Sequence, residues 1–311
     1  MSWRERALAF RCRGDWLYGI ASVPELPAPR GVLIVVGGPQ TRTGSHRQFT
    51  LLARHLAAHG VAAFRFDYRG MGDSDGLPRS FEHAGDDIAA AIDRFRMEVP
   101  QVREVALWGL CDGATAAAFH APRDPRVTGI ALLNPWVRTG EGAARTLLRH
   151  YYLRRLFARE LWTKVLRGRV DARGALRDLG GMLGAGWRAR PAVPAGSAAL
   201  EAAARPAATP ASLPASLPLP AATLAQDGTP LPERLRQSLA QFDGRLLFIL
   251  SGNDLVAQEF RGVANSSRAW RRLMSAPRVR LHELPEASHT FAAARWRDQV
   301  ADWTLAWVRS W

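Results

Sequence analysis

The chain of 311 residues is poor in cysteine, with only Cys12 and Cys111. Two cysteines cannot build the disulfide framework of a small secreted domain, and a free thiol in a reducing compartment stays reactive. Long apolar runs are missing as well, since no stretch reaches the roughly 18 residues that a membrane-spanning helix needs. The first six residues also lack the apolar core of a signal peptide. We therefore expect a cytoplasmic protein.

Lysine is nearly absent, because Lys164 is the only one, and yet the formal net charge is +14. The basic residues are thus arginines in a chain rich in Ala and Pro, which a GC-rich coding bias explains at least as well as nucleic-acid binding. No zinc-finger, RRM or basic-zipper pattern is present, so we expect no nucleic-acid partner. The arginine-rich stretch 145–177 instead suggests an acidic partner, either a phosphate-bearing substrate or an anionic membrane surface that it contacts peripherally.

Apolar runs and helical periodicities alternate along most of the chain. We predict strands at 7–12, 16–23, 31–36, 61–66, 102–108, 127–133, 245–251 and 279–284, and helices at 49–59, 81–99, 114–119 and 293–311. The first two strands are expected to form an antiparallel pair. The alternation that follows predicts an α/β fold with a mainly parallel central sheet flanked by helices.

This rhythm breaks after Trp136 and resumes near residue 245. An arginine-rich helical pattern covers 140–184, and an Ala/Pro-rich stretch of about 190–232 is predicted to be a flexible loop. We therefore predict one core made of 1–139 and 236–311, with 140–235 inserted as a helical lid.

The pentapeptide Gly109-Leu110-Cys111-Asp112-Gly113 stands between a predicted strand and a predicted helix. It has the G-x-C-x-G form of a nucleophile elbow, with cysteine where serine is usual. Glycines are needed on both sides because the strand turns sharply into the helix and holds its middle residue in a strained conformation. The pattern predicts that Cys111 is a nucleophile.

An acid and a histidine follow in the order that such elbows require. Asp254 comes directly after the strand 245–251, and His289 comes after the strand 279–284. The 35 residues from Asp254 to His289 leave room for one helix and one strand. A thiol with a reference pKa of about 8.5 needs an imidazole to make it a thiolate or to take its proton during attack, and a carboxylate fixes the imidazole tautomer. Asn253 and Glu259 are alternatives for the acid. Asp112 and Asp73 are interpreted as capping or turn residues.

The oxyanion hole is predicted to use the backbone N–H of Asp112 and a second donor from the loop Gly37-Gly38-Pro39-Gln40. Pro39 has no N–H, so Gln40 or Gly38 must supply that donor. We also predict substrate contacts, although a plain solvated loop accounts equally well for the charged ones. These candidates are Arg42, His46, Arg47 and Trp136. We expect neither a metal nor a cofactor.

Several motifs resemble known families. The segment 67–74, Asp-Tyr-Arg-Gly-Met-Gly-Asp-Ser, is similar to the D-x-R-G-x-G-x-S turn of the α/β-hydrolase superfamily. The segments 37–40, 44–49, 109–113 and 150–152 together resemble the exosortase A system-associated hydrolase 1 family. That resemblance implies a hydrolase found with exopolysaccharide export and protein-sorting systems. Two departures from the superfamily, Gly37 in place of the common His and Cys111 in place of Ser, argue against an ordinary lipase or esterase.

Together these features predict an α/β-hydrolase that cleaves an ester or thioester through an acyl-enzyme on Cys111. Thioesters and activated esters are favoured because a thiolate attacks amides poorly. The substrate would be a small molecule or an acyl group bound to coenzyme A or a carrier protein. Two alternatives remain: an acyltransferase with the same triad, and a pseudoenzyme that only binds a ligand. The sequence makes no prediction of oligomeric state.

Overall fold

The architecture is taken from a computed structural model, which describes residues 2–38, 40–138 and 228–311. These residues group into one compact unit around an eight-stranded sheet. The strands are β1 (Trp3–Cys12), β2 (Asp15–Pro24), β3 (Arg30–Val35), β4 (Ala63–Phe66), β5 (Glu104–Leu110), β6 (Val127–Leu133), β7 (Arg245–Ser251) and β8 (Val279–Leu284). Their order across the sheet is β1-β2-β4-β3-β5-β6-β7-β8.

The strand directions divide the sheet into two parts. The strand β2 runs antiparallel to both of its neighbours, β1 and β4. From β4 through β8 every pairing is parallel. Because parallel strands all end at one edge, the loops that leave β3, β5, β6, β7 and β8 share that edge.

Helices cover both faces of the sheet. In the described chain they are α1 (Gln48–Ala58), α2 (Gly85–Glu98), α3 (Asp112–His120), α4 (Leu231–Gln241), α5 (Leu255–Ser266), α6 (Arg268–Met274) and α7 (Ala294–Val308). Helices α1 and α7 pack in one apolar cluster, and α2 through α6 pack in the other.

Alternating residues of a strand pack into the two apolar clusters on opposite faces of the sheet. In β3, Leu33 and Val35 pack with the cluster of α2 through α6, whereas Val32 and Ile34 pack with that of α1 and α7. All four are buried. This is why β3 is a continuous apolar run and not an alternating one: a strand covered on both faces has no solvent side.

The predicted α/β fold with a mainly parallel sheet is confirmed, and so is the antiparallel pair at its start. The strands β6, β7 and β8 have the predicted bounds, whereas β5 is displaced by two residues and runs on to Leu110. The helix predicted from Phe81 begins at Gly85, after a separate 3-10 turn at Phe81–His83. Asp86 and Asp87 stand in the first turn of α2, where carboxylates complement the helix dipole.

Two features differ from the predicted arrangement of the insertion and the C-terminal core. Helix α4 crosses the predicted boundary at 235/236, and its Leu235 and Leu239 are fully buried. Ser238 donates a hydrogen bond of 2.7 Å to the carbonyl of Ala118 in α3. Between Asp254 and His289 two helices precede β8, where one was expected. The predicted lid and its Ala/Pro-rich stretch lie outside the described residues between 139 and 227.

Candidate active site

The elbow forms at the junction of β5 and α3. Cys111 has φ 60° and ψ −125°, a conformation that a non-glycine residue adopts only under strain, at a cost of about 1–3 kcal/mol. Its N–H donates to the carbonyl of Leu133 at 2.8 Å, and its own carbonyl accepts from Trp136 at 3.2 Å. These bonds to the end of β6 and to the loop beyond it hold the strained turn in place.

The flanking glycines are explained by close backbone approaches. A Cβ atom on Gly109 would lie 2.5 Å from the carbonyl carbon and oxygen of Gly113. A Cβ atom on Gly113 would lie 2.6 Å from the carbonyl oxygen of Val35 in β3. Both distances are far inside van der Waals contact, so the elbow excludes any side chain at either position.

We expect Gly113→Ala to destabilise the fold by about 1–3 kcal/mol, because the methyl group must displace the backbone of β3. The measurement is the free energy of unfolding in urea. Gly262→Ala is the matched control, since a Cβ atom there meets nothing within 4 Å. In helix α5 that change should stabilise by roughly 0.5–1 kcal/mol. A Gly113→Ala variant as stable as wild type would contradict the close approach.

Cys111 is a half-buried residue at this edge of the sheet. Burial raises its pKa, the negative charges of Asp112 and Asp254 raise it further, and the positive charge of Arg138 only partly opposes them. The thiol therefore carries its proton at neutral pH. Chemistry at this sulfur needs a base that removes the proton during attack, not a thiolate that is already formed.

Asp254 and His289 are in direct contact. Nδ1 of His289 lies 2.9 Å from Oδ2 of Asp254, so the ring nitrogen left for other chemistry is Nε2. Asp254 also caps helix α5, accepting from Val256 at 3.3 Å and from Ala257 at 3.0 Å. Burial alone would raise the pKa of Asp254, but the hydrogen bond and charge of His289 and these two N–H groups lower it below its ordinary value. The carboxylate is therefore anionic at neutral pH.

Among the described residues, the side chain that is hydrogen-bonded to His289 is that of Asp254, not that of either alternative acid. Glu259 pairs with Arg138 at 3.4 Å, and the Asn253 backbone N–H donates to Ala287. The loop that carries Asp254 reaches the histidine loop through a close approach at Gly252, where a Cβ atom would lie 1.9 Å from the carbonyl oxygen of Pro285. In the described part of the chain, the ring of His289 is hydrogen-bonded to Asp254 and not to the sulfur of Cys111.

Asn134 joins the ends of three loops, and its role was not foreseen from the sequence. The residue is fully buried at the end of β6, with a positive φ of 43°. Its Nδ2 donates to Ser251 Oγ at 2.9 Å and to the carbonyl of His289 at 3.0 Å. Its Oδ1 accepts from the N–H of Ser251 at 2.9 Å. The only sequence signal for it was an asparagine directly after a buried strand.

We expect Asn134→Ala to lower kcat on the order of 10- to 100-fold with little change in KM, because the histidine loop loses its anchor while the rest of the site stays in place. The measurement is steady-state kinetics on protein shown by circular dichroism to be folded. Ser251→Ala is the control: it removes one partner of Asn134 and keeps the bond to His289, so near wild-type kcat is expected. If Asn134→Ala lowers only stability, the asparagine does not position the histidine.

The loop after β3 lies against the elbow. A Cβ atom on Gly37 would lie 2.3 Å from Oδ1 of Asp112, so glycine is required there as well. Oδ1 accepts from the N–H of Gly113 at 3.1 Å. Gln40 directs its Oε1 at the N–H of Ser45, at 3.4 Å. Pro39 lies outside the described residues.

Comparison with known proteins agrees with this architecture. A family model described as serine aminopeptidase, S33, matches residues 27–179, just under half of the chain. An esterase from Pyrococcus furiosus superposes over 99% of this chain and 92% of its own, with a TM-score of 0.61 and 12% sequence identity. The chain has the α/β-hydrolase fold.

Two sequence relatives cover a shorter region. A polyketide transferase, GrgF, from a Penicillium species is 34% identical over 91 residues, which is 28% of this chain and 31% of the relative. A thiohydrolase, apmlB, from Arthrinium phaeospermum is 37% identical over 88 residues, 27% of this chain and 29% of the relative. The chain thus matches about a third of the length of each. The solved structure of GrgF superposes over 98% of both chains, with a TM-score of 0.58 and 15% identity.

The charged residues predicted to contact substrate differ in whether their charges are already paired. Arg42 pairs with the buried carboxylate of Asp67 and, at 2.5 Å, with Asp73, so its charge is already balanced. His46 and Arg47 are exposed and have positive φ values of 52° and 60°. Substrate binding by these three residues stays a prediction, and for Arg42 it would require two ion pairs to break.

Trp136 is the predicted substrate contact that the fold places beside the elbow. Its backbone is bonded to the carbonyl of Cys111 and to the hydroxyl of Thr115. The guanidinium of Arg138 lies 5.2 Å from the centre of its ring, within cation–π range. Arg138, which was not predicted, is thus a cation in this part of the site.

The described residues contain neither a candidate membrane span nor a candidate metal site. No helix among them combines the length and the apolar character that crossing a membrane requires. No group of three or more His, Cys, Asp or Glu side chains within them is arranged to hold a metal ion.

Proposed function

We propose that this α/β-hydrolase cleaves an ester or thioester through an acyl-enzyme formed on Cys111. One observation carries the proposal: Cys111 occupies a strained elbow in which close backbone contacts exclude a side chain at both flanking glycines, Gly109 and Gly113. The same sheet edge carries the hydrogen-bonded pair of His289 and Asp254. A nucleophile at such an elbow, together with an imidazole oriented by a carboxylate, supplies the groups that covalent catalysis needs.

In the proposed reaction the thiol proton passes through His289. Nε2 of His289 takes the thiol proton as the sulfur attacks the carbonyl carbon, and Asp254 stabilises the imidazolium at Nδ1. The tetrahedral intermediate then collapses: the carbon–sulfur or carbon–oxygen bond to the leaving group breaks, and the imidazolium gives that group its proton. Water next attacks the acyl-enzyme with His289 as base, and the thiol is restored.

The substrate class is a thioester or an activated ester. Sulfur attacks such acyl groups readily, and the relatives include one named a thiohydrolase. Coenzyme A or a carrier protein would present the acyl group, and the arginine-rich stretch 145–177 would meet its phosphates or the anionic surface of a membrane. The motif resemblance adds a role in exopolysaccharide biosynthesis to this proposal.

Acyl transfer is the second candidate, because one relative is named a polyketide transferase. In that case an acceptor hydroxyl, for instance on a polysaccharide, attacks the acyl-enzyme where water would otherwise do so. Product analysis with and without sugar acceptors separates the two: a new acyl-sugar supports transfer, and free acid alone supports hydrolysis.

The test of the nucleophile is intact-mass labelling with an electrophilic probe. Wild type should gain one label, Cys111→Ala should gain none, and His289→Ala should be labelled more slowly because the thiol keeps its proton. Labelling that survives Cys111→Ala would overturn the assignment. Absence of label on the wild type would favour a ligand-binding protein without catalysis.

A further inference from the structure

The loop after β6 places a guanidinium group at the edge of the sheet that carries Cys111. The N–H of Trp136 donates to the carbonyl of Cys111 at 3.2 Å, and the guanidinium of Arg138 lies 5.2 Å from the centre of the Trp136 ring. Burial raises the pKa of the Cys111 thiol, and the positive charge of Arg138 acts against that rise. The charge of Arg138 therefore reaches the sulfur that is proposed to react.

Two neighbours hold the side chain of Arg138 in one orientation. Its Nε lies 3.4 Å from each carboxylate oxygen of Glu259, whose side chain is only 4% exposed in helix α5, and the Trp136 ring flanks the guanidinium. Asp254 caps the same helix, so this contact joins the loop after β6 to the element that carries the acid of the site. A guanidinium that is fixed beforehand loses little rotamer freedom when a ligand binds.

The two Nη groups of Arg138 are the donors left for a ligand. Within the described chain, the hydrogen bonds of this guanidinium use Nε, and its side chain is 32% exposed. Arg42 differs, because its Nη1 donates to the carboxylate of Asp67 and its Nη2 to that of Asp73. The N–H groups on Nη1 and Nη2 of an arginine match the two oxygens of a carboxylate and form two parallel hydrogen bonds with it.

The position of Arg138 favours an anion on the acyl group over an anion on the leaving group. A carboxylate on a short acyl chain can lie a few bonds from the carbonyl that the sulfur attacks. The phosphates of coenzyme A lie at the far end of a long and flexible arm. The negative charges of Asp112 and Asp254 act at the same sulfur, so an acyl group with a carboxylate needs a cation in this site to offset their repulsion.

We propose that Arg138 determines substrate specificity, and that its two Nη groups bind a carboxylate on the acyl chain. The inference rests on the proposed function and names its substrate class: a thioester or activated ester of a dicarboxylic acid whose second carboxylate is free. The bonds that form and break are those of the proposed reaction. The thiol proton passes to His289 and then to the leaving group, while the carboxylate held by Arg138 takes part in no bond change.

The test compares two thioesters whose acyl chains have similar lengths and different charges. Glutaryl-N-acetylcysteamine ends in a carboxylate, and hexanoyl-N-acetylcysteamine ends in a methyl group. Wild-type kcat/KM should be higher for the glutaryl thioester by about 10- to 100-fold, the scale of hydrogen bonds between charged groups. Arg138→Gln should remove that preference, mainly by raising KM for the glutaryl thioester, and should turn over the hexanoyl thioester at the wild-type rate. Arg138→Lys keeps the charge without the paired donors and should retain part of the preference.

Arg30→Gln is the matched control. Arg30 has the same two kinds of partner, since it pairs with Glu104 and lies 4.2 Å from the ring centre of Trp311. It is the first residue of β3 and therefore lies at the amino end of the parallel strands, opposite the candidate site. This substitution should leave the ratio of the two kcat/KM values as it is in the wild type.

Three results would overturn the inference. In the first, the wild type shows no preference for the glutaryl thioester. In the second, Arg138→Gln lowers the turnover of both thioesters alike, which indicates a structural role. In the third, Arg138→Gln weakens only the preference for coenzyme A thioesters over those of N-acetylcysteamine, which would assign Arg138 to phosphates of the leaving group.

Turnover of the hexanoyl thioester separates the inference from the proposed function. If this turnover depends on Cys111 while Arg138→Gln has the same preference as the wild type, only the inference fails. If neither thioester shows turnover that is lost in Cys111→Ala, the proposed function fails and the inference fails with it.

Discussion

Cys111→Ala will lower kcat for a thioester or activated ester by a factor on the order of 10⁵ to 10⁶, the scale seen when the nucleophile of a triad is removed. The variant loses the atom that forms the acyl-enzyme, while the backbone of the elbow and the pair of His289 and Asp254 remain. KM should change little, since the thiol contributes no binding to the ground state. The measurement is steady-state turnover, with burst kinetics to detect the acyl-enzyme in the wild type.

Cys12→Ala is the matched control for the loss of a thiol. Cys12 is buried in β1 and donates to Oδ1 of Asp87 at 3.1 Å, and burial together with that carboxylate raises its pKa to about 12. Its removal should lower stability by about 1–3 kcal/mol and leave kcat at the wild-type value. Equal loss of turnover in both variants would mean that folding, not the nucleophile, is being measured.

Asp254→Asn will lower kcat by about 10⁴-fold, as expected when an amide replaces the carboxylate that holds the catalytic tautomer. The Asn side chain can still cap helix α5 through its oxygen, so the fold should be kept. It cannot stabilise an imidazolium at Nδ1 of His289, where the carboxylate oxygen now lies 2.9 Å away. The base therefore weakens at the step in which the thiol loses its proton.

The chain offers a second His–Asp pair as a control. Oδ2 of Asp124 lies 3.4 Å from Nε2 of His120, and this pair precedes β6 at the amino end of the strands, opposite the candidate site. Asp124→Asn should leave turnover intact. A similar loss in both variants would contradict the role of Asp254.

The same carboxylate also predicts a pH effect on stability. Because the pKa of Asp254 is lowered in the folded state, its contribution is present above the unfolded value of about 3.9 and is lost as the pH falls through the lower folded value. Asp254→Asn should flatten that part of the wild-type curve of unfolding free energy against pH.

Local patterns were sufficient for most of the elements. The strands β6, β7 and β8 have the bounds that their apolar runs predict, because a strand buried on both faces needs an unbroken apolar sequence. Short segments were harder: helices α5 and α6 replace the one helix expected between Asp254 and His289, since Ser267 ends the first and caps the second. Nothing in hydrophobic periodicity distinguishes one helix of that length from two.

The candidate site shows where such reasoning stops. Glycine spacing and chain order were enough to propose Cys111, Asp254 and His289 as site residues. Short segments suffice for this, because the glycines mark a sharp turn and the residues after parallel strands lie at one edge of the sheet. They could not reveal that Arg42 is already paired with two carboxylates, or that Asn134 binds the loop of His289. Those facts depend on side chains that lie far apart in the chain.

The sequence by itself determined the glycine-flanked elbow, the chain order in which Asp254 and His289 follow it, and the sulfur where such elbows usually have serine, since each follows from residue type and spacing. Only the tertiary structure decided the state of that sulfur and its surroundings. Burial beside Asp112 and Asp254 keeps the thiol protonated, and the close approach at Gly37 places a carboxyl group against the elbow. The raised pKa of the thiol and the position of the carboxyl group arise from desolvation and packing. Both require segments that are distant in the chain to come together in the fold.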